Sequence, residues 1–406
     1  AETFLPHMNG VVGSILHVIA HLRERGHEVV VIAPRHDTAP DPAALAGAHL
    51  TLLPSVALPG YPALRLALPT VPRMVSLLRE IDPDVVHLAS PFVLGWQAVR
   101  AAEQLGIPTV AVYQSDVPGY AERYGVAALG PVFARHVARL HQRATLTLSP
   151  SSSATAALRG WGVDDVRPWA RGVDGERFHP RHRDEAWRRT VAPRGELVVG
   201  YVGRLAPEKQ VLDLAAIADI PGTRVVIIGD GPQRAAVENA LPDAHLTGFL
   251  SGSDLARALA SCDIVVHPGE NETFCQTVQE ALASGVPVVA TGAGGPLDLV
   301  QSSHTGWLYR PGDLGDLRAR VLDLVGDPAK RRAFAAAARA SVAHRTWRSL
   351  GDQLLVHYAE ARARVRCRVV GALSVCPIGA VPRSMGDWPA TARPRTSSSI
   401  GRATDS

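Results

Sequence analysis

The sequence predicts an α/β protein made of two Rossmann-like domains that face each other across a cleft. Short apolar segments alternate with helix-like segments along most of the chain, and they form two series separated by a polar connector. The length of 406 residues also exceeds what one ordinary hydrophobic core serves. Because ligands bind beyond the carboxyl ends of parallel strands, two facing sheets predict a ligand site between them.

The first series of strands lies in residues 1–175, which we interpret as the first domain. Its strands are rich in valine and lack in-and-out alternation, as expected of strands buried on both faces of a parallel sheet. They are EVVVIAP (28–34), DVVHLAS (84–90), TVAVYQS (109–115) and ATLTLSP (144–150), with helical patterns at 14–27 and 71–81. The opening segment ETFLPHMNGV resembles the loop after a strand, so we expect the first strand of this domain to be missing.

The second series lies in residues 176–345, after the polar connector RGVDGERFHPRHRDE (171–185). Its predicted strands cover 197–203, 224–231, 245–249, 263–269 and 286–291. We therefore predict a second α/β domain and a hinge at the connector. Residues 366–406 lose all periodicity and are rich in Ser, Pro and Arg, which predicts a disordered tail.

The composition is that of a soluble globular protein, with 46% apolar and 20% charged residues. No run of eighteen or more apolar residues and no leader pattern occurs, so we expect neither a membrane span nor secretion. The four cysteines show neither metal nor disulfide spacing, which suits the cytoplasm. A net charge of +4 is too small to indicate nucleic-acid binding.

The charge is uneven, because no acidic residue occurs between Arg123 and Gly162. Five arginines lie in this stretch: Arg123, Arg135, Arg139, Arg143 and Arg159. This segment fits a surface that meets anionic lipid headgroups. It equally fits an amphipathic helix with a basic outer face.

Two carboxylates, Glu272 and Glu280, lie eight positions apart in GENETFCQTVQEALASGVPVVATGAGGP. Thr273 and Gln276 have the spacing of a capping box, which predicts a helix that starts near Phe274. On such a helix the two acids would lie roughly 12 Å apart and on one side. That span fits the sugar and the ribose of a sugar nucleotide, whose hydroxyl pairs ionised glutamates accept well. The alternative is a pair of solvated helix residues.

Two cations, Arg204 and Lys209, follow a predicted strand in GYVGRLAPEKQV. Such a pair at the carboxyl end of a strand suits a diphosphate leaving group, although each alone could be a surface residue. Gly10, in the turn NGVVG at the mouth of a helix, could let backbone amides approach phosphate. Gly229 in GDGP has a similar pattern, which also fits a simple strand end.

Asp116 and His87 lie at strand ends of the first domain. Asp116 could serve as a general base, as an acceptor for sugar hydroxyls, or only as a turn residue. His87 could contact substrate or be a hydrogen-bonded structural group. The sequence contains no serine-hydrolase elbow, zinc-ligand spacing or kinase signature.

Over roughly residues 1–360 the chain resembles the family 4 retaining glycosyltransferases, which have the GT-B fold of two Rossmann domains. The resemblance lies in ENETFCQTVQEALASGVPVVA, VGRLAPEKQ and RGVDGERFHP. Within the family, FLPHMNGV, DPDVVHLASP and VAVYQSDVPGYAERYG are similar to actinobacterial GDP-mannose-dependent α-mannosyltransferases that act on glycolipids. The resemblance also implies that a C-terminal helix, residues 346–365, crosses back to the first domain.

The resemblance implies a role for each matched residue. Glu272 would contact the donor sugar, with the amides of Thr273, Phe274 and Cys275 behind the sugar and phosphate. Glu280 would hold the ribose. The remaining matches are Arg204 and Lys209 at the diphosphate, Gly10 beside it, and Asp116 on the acceptor side. Gln114 stands where many relatives carry His.

The implied reaction transfers mannose from GDP-mannose to a lipid-linked glycoside, with retention of configuration and without a metal or other cofactor. Its acceptor would be of the phosphatidylinositol mannoside or glucuronosyl-diacylglycerol type, met by peripheral contact with the inner membrane face. The alternatives are a UDP-sugar donor, a sugar-nucleotide 2-epimerase-like enzyme, and an inactive nucleotide-binding relic.

Overall fold

The computed structural model describes residues 1–6, 9–38, 41–58, 61–116 and 130–371. The strands of the first half are β1 (Val30–Pro34), β2 (His49–Leu53), β3 (Ser55–Leu58), β4 (Tyr61–Ala67), β5 (Val86–Leu88), β6 (Thr109–Val112), β7 (Leu146–Ser149) and β8 (Val166–Pro168). The strands of the second half are β9 (Leu197–Val202), β10 (Thr223–Ile228), β11 (His245–Gly248), β12 (Ile264–His267), β13 (Val288–Thr291) and β14 (Gly306–Tyr309).

Helices separate most of these strands. Those of the first half are α1 (Gly10–Glu24), α2 (Val71–Ile81), α3 (Val93–Leu105), α4 (Gly130–Arg143) and α5 (Ser152–Gly160). Those of the second half are α6 (Glu185–Val191), α7 (Arg234–Ala240), α8 (Gly252–Ala260), α9 (Gln276–Ala283), α10 (Pro296–Leu299), α11 (Leu314–Gly326), α12 (Pro328–Val342) and α13 (Trp347–Gly371).

The second half contains one six-stranded sheet in the order β11-β10-β9-β12-β13-β14. All of its described strand pairs are parallel. This is the doubly wound order, in which the chain reverses direction across the sheet between β9 and β12. A crevice therefore opens beyond the carboxyl ends of these two strands, the place where such sheets bind ligands.

The strands of the first half form separate hydrogen-bonded groups. β5, β6, β7 and β8 make a parallel sheet, β1 pairs in parallel with β2, and β3 pairs with β4 as a hairpin. Residues at the start of the chain lie between β1 and β5: the Ala1 amino group donates to the Ile32 carbonyl and the Glu2 amide to Ser90 Oγ.

Each predicted strand of the two series is present but shorter than its apolar segment. The predicted helix over 71–81 matches α2, whereas the pattern at 14–27 belongs to a helix that already starts at Gly10. Asn9 explains this earlier start, because its side chain accepts hydrogen bonds from the Val11 and Val12 amides.

The last helix, α13, lies against the first half of the chain. Leu350, Leu354 and Tyr358 share a buried cluster with residues of β6 and β7. The Trp169 indole also donates to the Leu350 carbonyl over 2.9 Å. Residues 366–371 continue this helix, so the predicted disorder from 366 onward is wrong for these six positions; the remainder of the predicted tail lies outside the described residues.

Candidate active site

The crevice between β9 and β12 brings two of the predicted site residues into direct contact. Lys209 follows β9 and Glu272 follows β12, and these strands are neighbours in the sheet. Lys209 Nζ lies 2.5 Å from Glu272 Oε1, with both side chains largely buried. Adjacent strands of the sheet thus place a cation and a carboxylate, far apart in sequence, at the same edge.

Arg204 belongs to the same turn but pairs with a different carboxylate. Its guanidinium forms an ion pair with Glu208, whose side chain is 2% exposed, while 39% of the arginine side chain remains exposed. The Tyr201 hydroxyl holds the backbone by donating to the Arg204 carbonyl over 3.1 Å. The turn after β9 therefore carries both Arg204 and Lys209, and these two contacts hold it in place.

A third group, His267, was not found by sequence reasoning. It ends β12 with only 3% of its side chain exposed, and its Nε2 lies 3.1 Å from Glu272 Oε1. Its ring lies parallel to that of Tyr201, with centroids 6.2 Å apart. Its position at the carboxyl end of a strand, five residues before Glu272, was the available signal.

A small cavity connects this cluster to the first half of the chain. Its volume is about 90 Å³, and Asp116 and Glu272 both line it. The other lining residues are Tyr113, Ser153, Ala154, Ala157, Glu270, Thr273 and Gly294. The Tyr113 hydroxyl donates to Asp116 Oδ1 over 3.2 Å. Asp116 thus lines the same cavity as Glu272, although most of its predicted motif, residues 117–125, lies outside the described residues.

The segment after Glu272 is a loop, so the predicted capping box is wrong. The helix begins at Gln276 rather than near Phe274, and Cys275 precedes it with a left-handed φ of 74°. The Thr273 hydroxyl donates to the Gln114 carbonyl of the first half instead of capping the helix. Helical geometry therefore does not relate Glu272 to Glu280, and the predicted 12 Å helical separation does not apply.

The glycine-rich loop that follows β13, residues 292–295, packs closely against the backbone of the acidic loop. A Cβ on Gly294 would lie 2.6 Å from the Glu272 carbonyl oxygen, and one on Gly295 would lie 2.1 Å from that of Phe274. The Gly295 amide also donates to the Glu272 carbonyl over 2.7 Å. These glycines therefore support the acidic loop from behind, which explains why they follow the acids in the sequence.

Glu280 lies on α9 beside Gln276, one turn earlier, and within electrostatic range of Arg177. Burial raises the pKa of Glu280 to about 7, against a smaller lowering by these two neighbours. Gln276 also donates to the Gly172 carbonyl, so this face of the helix turns towards the connector.

Gly10 contacts a second residue that the sequence analysis missed, Arg171. This buried arginine, 6% exposed, donates from Nη1 to the Gly10 carbonyl and from Nη2 to Gln114 Oε1, each over 3.0 Å. Its own carbonyl accepts a hydrogen bond from Gln279 on α9. Arg171 therefore links the start of α1, the segment before Asp116 and the helix after the acidic loop.

Two other predicted residues have clear packing roles. Gly229 is required where the ends of β9 and β10 converge, because a Cβ there would lie 1.9 Å from the Gly203 carbonyl oxygen. His87 lies under α13, with its Nδ1 2.8 Å from the Tyr358 hydroxyl and its ring edge-on to Trp169. His87 thus packs against the last helix, and its contact with substrate stays a prediction.

One cluster of described residues has the chemistry of metal ligands. The ligand atoms of His267, Glu272 and Cys275 lie within 4.8 Å of one another. The ammonium group of Lys209 contacts Oε1 of the same glutamate. That the reaction proceeds without a metal stays a prediction.

Comparison with known proteins agrees with this geometry. The family model "Glycosyltransferase Family 4" matches residues 8–177, and "Glycosyl transferases group 1" matches residues 183–341. A GDP-mannose-dependent alpha-mannosyltransferase of Mycolicibacterium smegmatis is 48% identical over 367 residues, which cover 90% of this chain and 97% of that protein. Sulfoquinovosyl transferase SQD2 of Arabidopsis thaliana is 34% identical over 355 residues, which cover 84% of this chain and 69% of that protein.

Among solved structures, Anabaena HepE in complex with UDP-glucose has a TM-score of 0.71 at 20% identity, covering 88% of this chain and 98% of that chain. The fold is thus the predicted GT-B fold, and the protein is a glycosyltransferase. The chain belongs to glycosyltransferase family 4, as the resemblance of its motifs predicted. No helix in the described part of the chain is long and apolar enough to cross a membrane.

Proposed function

We propose that this enzyme transfers mannose from GDP-mannose to a lipid-linked glycoside, with retention of the anomeric configuration. The observation that carries the proposal is the contact of Lys209 with Glu272 in the crevice beyond the carboxyl ends of β9 and β12. Identities of 43% to 48% with three proteins named GDP-mannose-dependent alpha-mannosyltransferase support the donor. The acceptor would be of the phosphatidylinositol mannoside or glucuronosyl-diacylglycerol type.

The donor would lie with its diphosphate against the turn that carries Arg204 and Lys209. Negative charge develops on the leaving phosphate as the bond between the sugar and the phosphate breaks. Two cations already held in position by one turn stabilise this charge without having to move. Glu272 would accept hydrogen bonds from the sugar hydroxyls, and Glu280 from the ribose. Binding hydroxyl donors would favour the ionised form of Glu280, which burial disfavours in the free protein.

Retention by double displacement would need a carboxylate nucleophile beneath the anomeric carbon. Glu272 suits this role poorly, because Lys209 and His267 both contact its Oε1. These contacts stabilise the negative charge of the carboxylate and so make it a weaker nucleophile. We favour attack of the acceptor hydroxyl on the face from which GDP departs, with the leaving phosphate accepting the hydroxyl proton. The new glycosidic bond then forms as the bond to GDP breaks, and the reaction requires no metal.

The cavity of about 90 Å³ is smaller than the 300–1,000 Å³ typical of ligand sites. Contacts that cross the cleft include the bonds of the Ser152 amide and hydroxyl to the Asp298 carboxylate. We infer that these contacts separate when the donor enters and re-form around it. Such closure would exclude water from the activated sugar.

We also propose peripheral contact with the inner membrane face through α4. Arg135, Arg139 and Arg143 are exposed on this helix, as is Val132, with 60% exposure. Flotation with vesicles of phosphatidylcholine alone and with added phosphatidylglycerol tests this: we expect binding only to the anionic vesicles. Replacement of Arg135 and Arg139 by Glu should abolish it, and equal binding of the variant would contradict the proposal.

The activity itself is tested by supplying a panel of GDP- and UDP-sugars together with glycolipid extract, and by following labelled lipid. Transfer from GDP-mannose alone is the expected result. Transfer from a UDP-sugar would overturn the donor assignment while retaining the family. Nucleotide binding without any transfer would favour the inactive relic, and epimerised free donor would favour the 2-epimerase alternative.

A further inference from the structure

The buried histidine His267 contacts Glu272 but has no role of its own in the proposed transfer. It lies beneath the acidic loop, between the ring of Tyr201 on β9 and the carboxylate of Glu272. Gly269 leaves room for it, because a Cβ there would lie 3.3 Å from His267 Nε2 and equally close to the Lys209 Cα. The ring is therefore fixed against the same turn that carries the predicted diphosphate ligands.

His267 and Lys209 approach the same carboxylate oxygen. Lys209 Nζ lies 2.5 Å and His267 Nε2 lies 3.1 Å from Glu272 Oε1. Two nitrogen donors on one oxygen fix the orientation of the carboxylate plane and direct Oε2 to other partners. Because Glu272 lines the cavity, a ligand bound there is the natural partner for that second oxygen.

We propose that His267 is a positioning residue of glycosyl transfer, which acts as a buried imidazolium that holds Glu272 ionised and oriented towards the donor sugar. With Lys209 it places two nitrogen groups on one oxygen of Glu272, beside the turn that carries the predicted diphosphate ligands. This proposal rests on the proposed function only for the identity of the donor.

The surrounding charges support the imidazolium form. The groups that face His267 are Tyr201, Glu208, Lys209, Glu272 and Cys275. Burial alone would lower the pKa of His267, but the Cys275 sulfur and the Glu272 carboxylate outweigh it and raise that pKa to about 10. Burial would likewise raise the pKa of Glu272, yet Lys209 and His267 lower it to about 2.

Two other buried histidines show that burial alone gives the opposite result. Burial lowers the pKa of His141 to about 3 and that of His87 to about 4. In the described part of the chain, Nδ1 of His141 contacts the Thr147 hydroxyl, and Nδ1 of His87 contacts the Tyr358 hydroxyl. These rings are neutral at pH 7, and His141 provides a matched control.

The first test is an NMR titration of the wild-type protein labelled at histidine Cε1, followed from pH 6 to pH 9. We expect one histidine resonance to stay at the imidazolium position throughout and to be absent from His267→Gln. A resonance of His267 that is neutral at pH 7 would overturn the proposal. The wild-type titration does not depend on turnover, so it stands even if the donor assignment fails.

The second test is the pH dependence of transfer in His267→Gln and in the control His141→Gln, after thermal melting confirms that both are folded. Glutamine keeps a hydrogen-bond donor but lacks the charge. We expect kcat to fall about 10- to 100-fold in His267→Gln, with the acidic limb of the profile moved to higher pH. An unmoved acidic limb would assign His267 to packing alone and refute the proposal.

His267→Asn is the second variant, in case glutamine does not fit. If the wild-type protein transfers no mannose, the same pH comparison is made on binding of the sugar nucleotide of the panel that the wild type binds. A binding profile that is identical in the wild type and in both variants would then overturn the positioning role.

Discussion

The two halves of the molecule build their sides of the cleft differently. In the second half, strand order alone brings Lys209, His267 and Glu272 together, because they follow or end two neighbouring strands of a continuous sheet. In the first half, the described strands form separate groups, and hydrogen bonds from one buried arginine, Arg171, hold the site-facing segments. The second half's side of the cleft thus depends on sheet topology, whereas the first half's side depends on a side-chain network.

This difference implies different sensitivities to mutation. A charge removed from the second half should impair the reaction step, because its partners remain fixed by the sheet. A donor removed from the first half should instead loosen the segments on either side of it, because one side chain, Arg171, bonds to both Gly10 and Gln114. Variants of Lys209 and of Arg171 separate these two kinds of effect.

The largest effect is expected for Lys209→Met, which removes a cation from the leaving group. We expect kcat to fall about 100- to 1,000-fold, the loss typical when one stabilising donor is removed from a developing charge. Steady-state kinetics with GDP-mannose measures it. A rate within threefold of wild type would refute the role of Lys209 at the diphosphate.

The buried contact with Glu272 requires a further control, because removing one member of such a pair can destabilise the protein. The double variant Lys209→Met with Glu272→Gln removes both charges at once. We expect it to melt at a higher temperature than the single variant yet to remain inactive. Recovery of activity in the double variant would mean that the single variant failed only through unfolding.

A smaller effect is expected for Arg171→Lys, which keeps the charge but not the two-pronged donor geometry. We expect roughly a tenfold loss of kcat/KM and a lower melting temperature, because Gly10 O and Gln114 Oε1 can no longer both be satisfied. Arg183→Lys is the matched control, since this arginine pairs with Asp263 away from the cavity. Equal activity losses in the two variants would contradict a specific role for Arg171.

The sequence allowed the fold to be predicted well, because strands buried on both faces leave continuous apolar segments such as those of β9 and β12. It also allowed Glu272 and Lys209 to be named, through motif resemblance and through their position after strands. Strand ends were overestimated, since apolar residues continue into buried loops: Tyr113, for example, is 1% exposed although β6 ends at Val112.

The residues that escaped prediction are those whose role depends on distant partners. Arg171 lies in a polar connector and gives no sign that it will be buried against Gly10 and Gln114. The capping-box prediction failed for the same reason, since Thr273 bonds across the cleft rather than to its own helix. Local spacing carries no information about a contact made by the other half of the chain.

The smallest effect concerns Glu280, whose pKa burial raises to about 7 from an ordinary value near 4.5. A carboxyl whose pKa is raised on folding stabilises the fold fully below about pH 4.5, and that contribution is lost as the pH rises through 7. Glu280→Gln should therefore melt like wild type at pH 4.5 but about 2–4 °C higher at pH 8.5. The same variant should bind GDP more weakly, since the ribose loses an ionised acceptor. Scanning calorimetry at both pH values and a GDP titration measure these effects. A melting difference that is the same at both pH values would show that folding does not raise the pKa of Glu280. An unchanged GDP affinity would remove Glu280 from the ribose site.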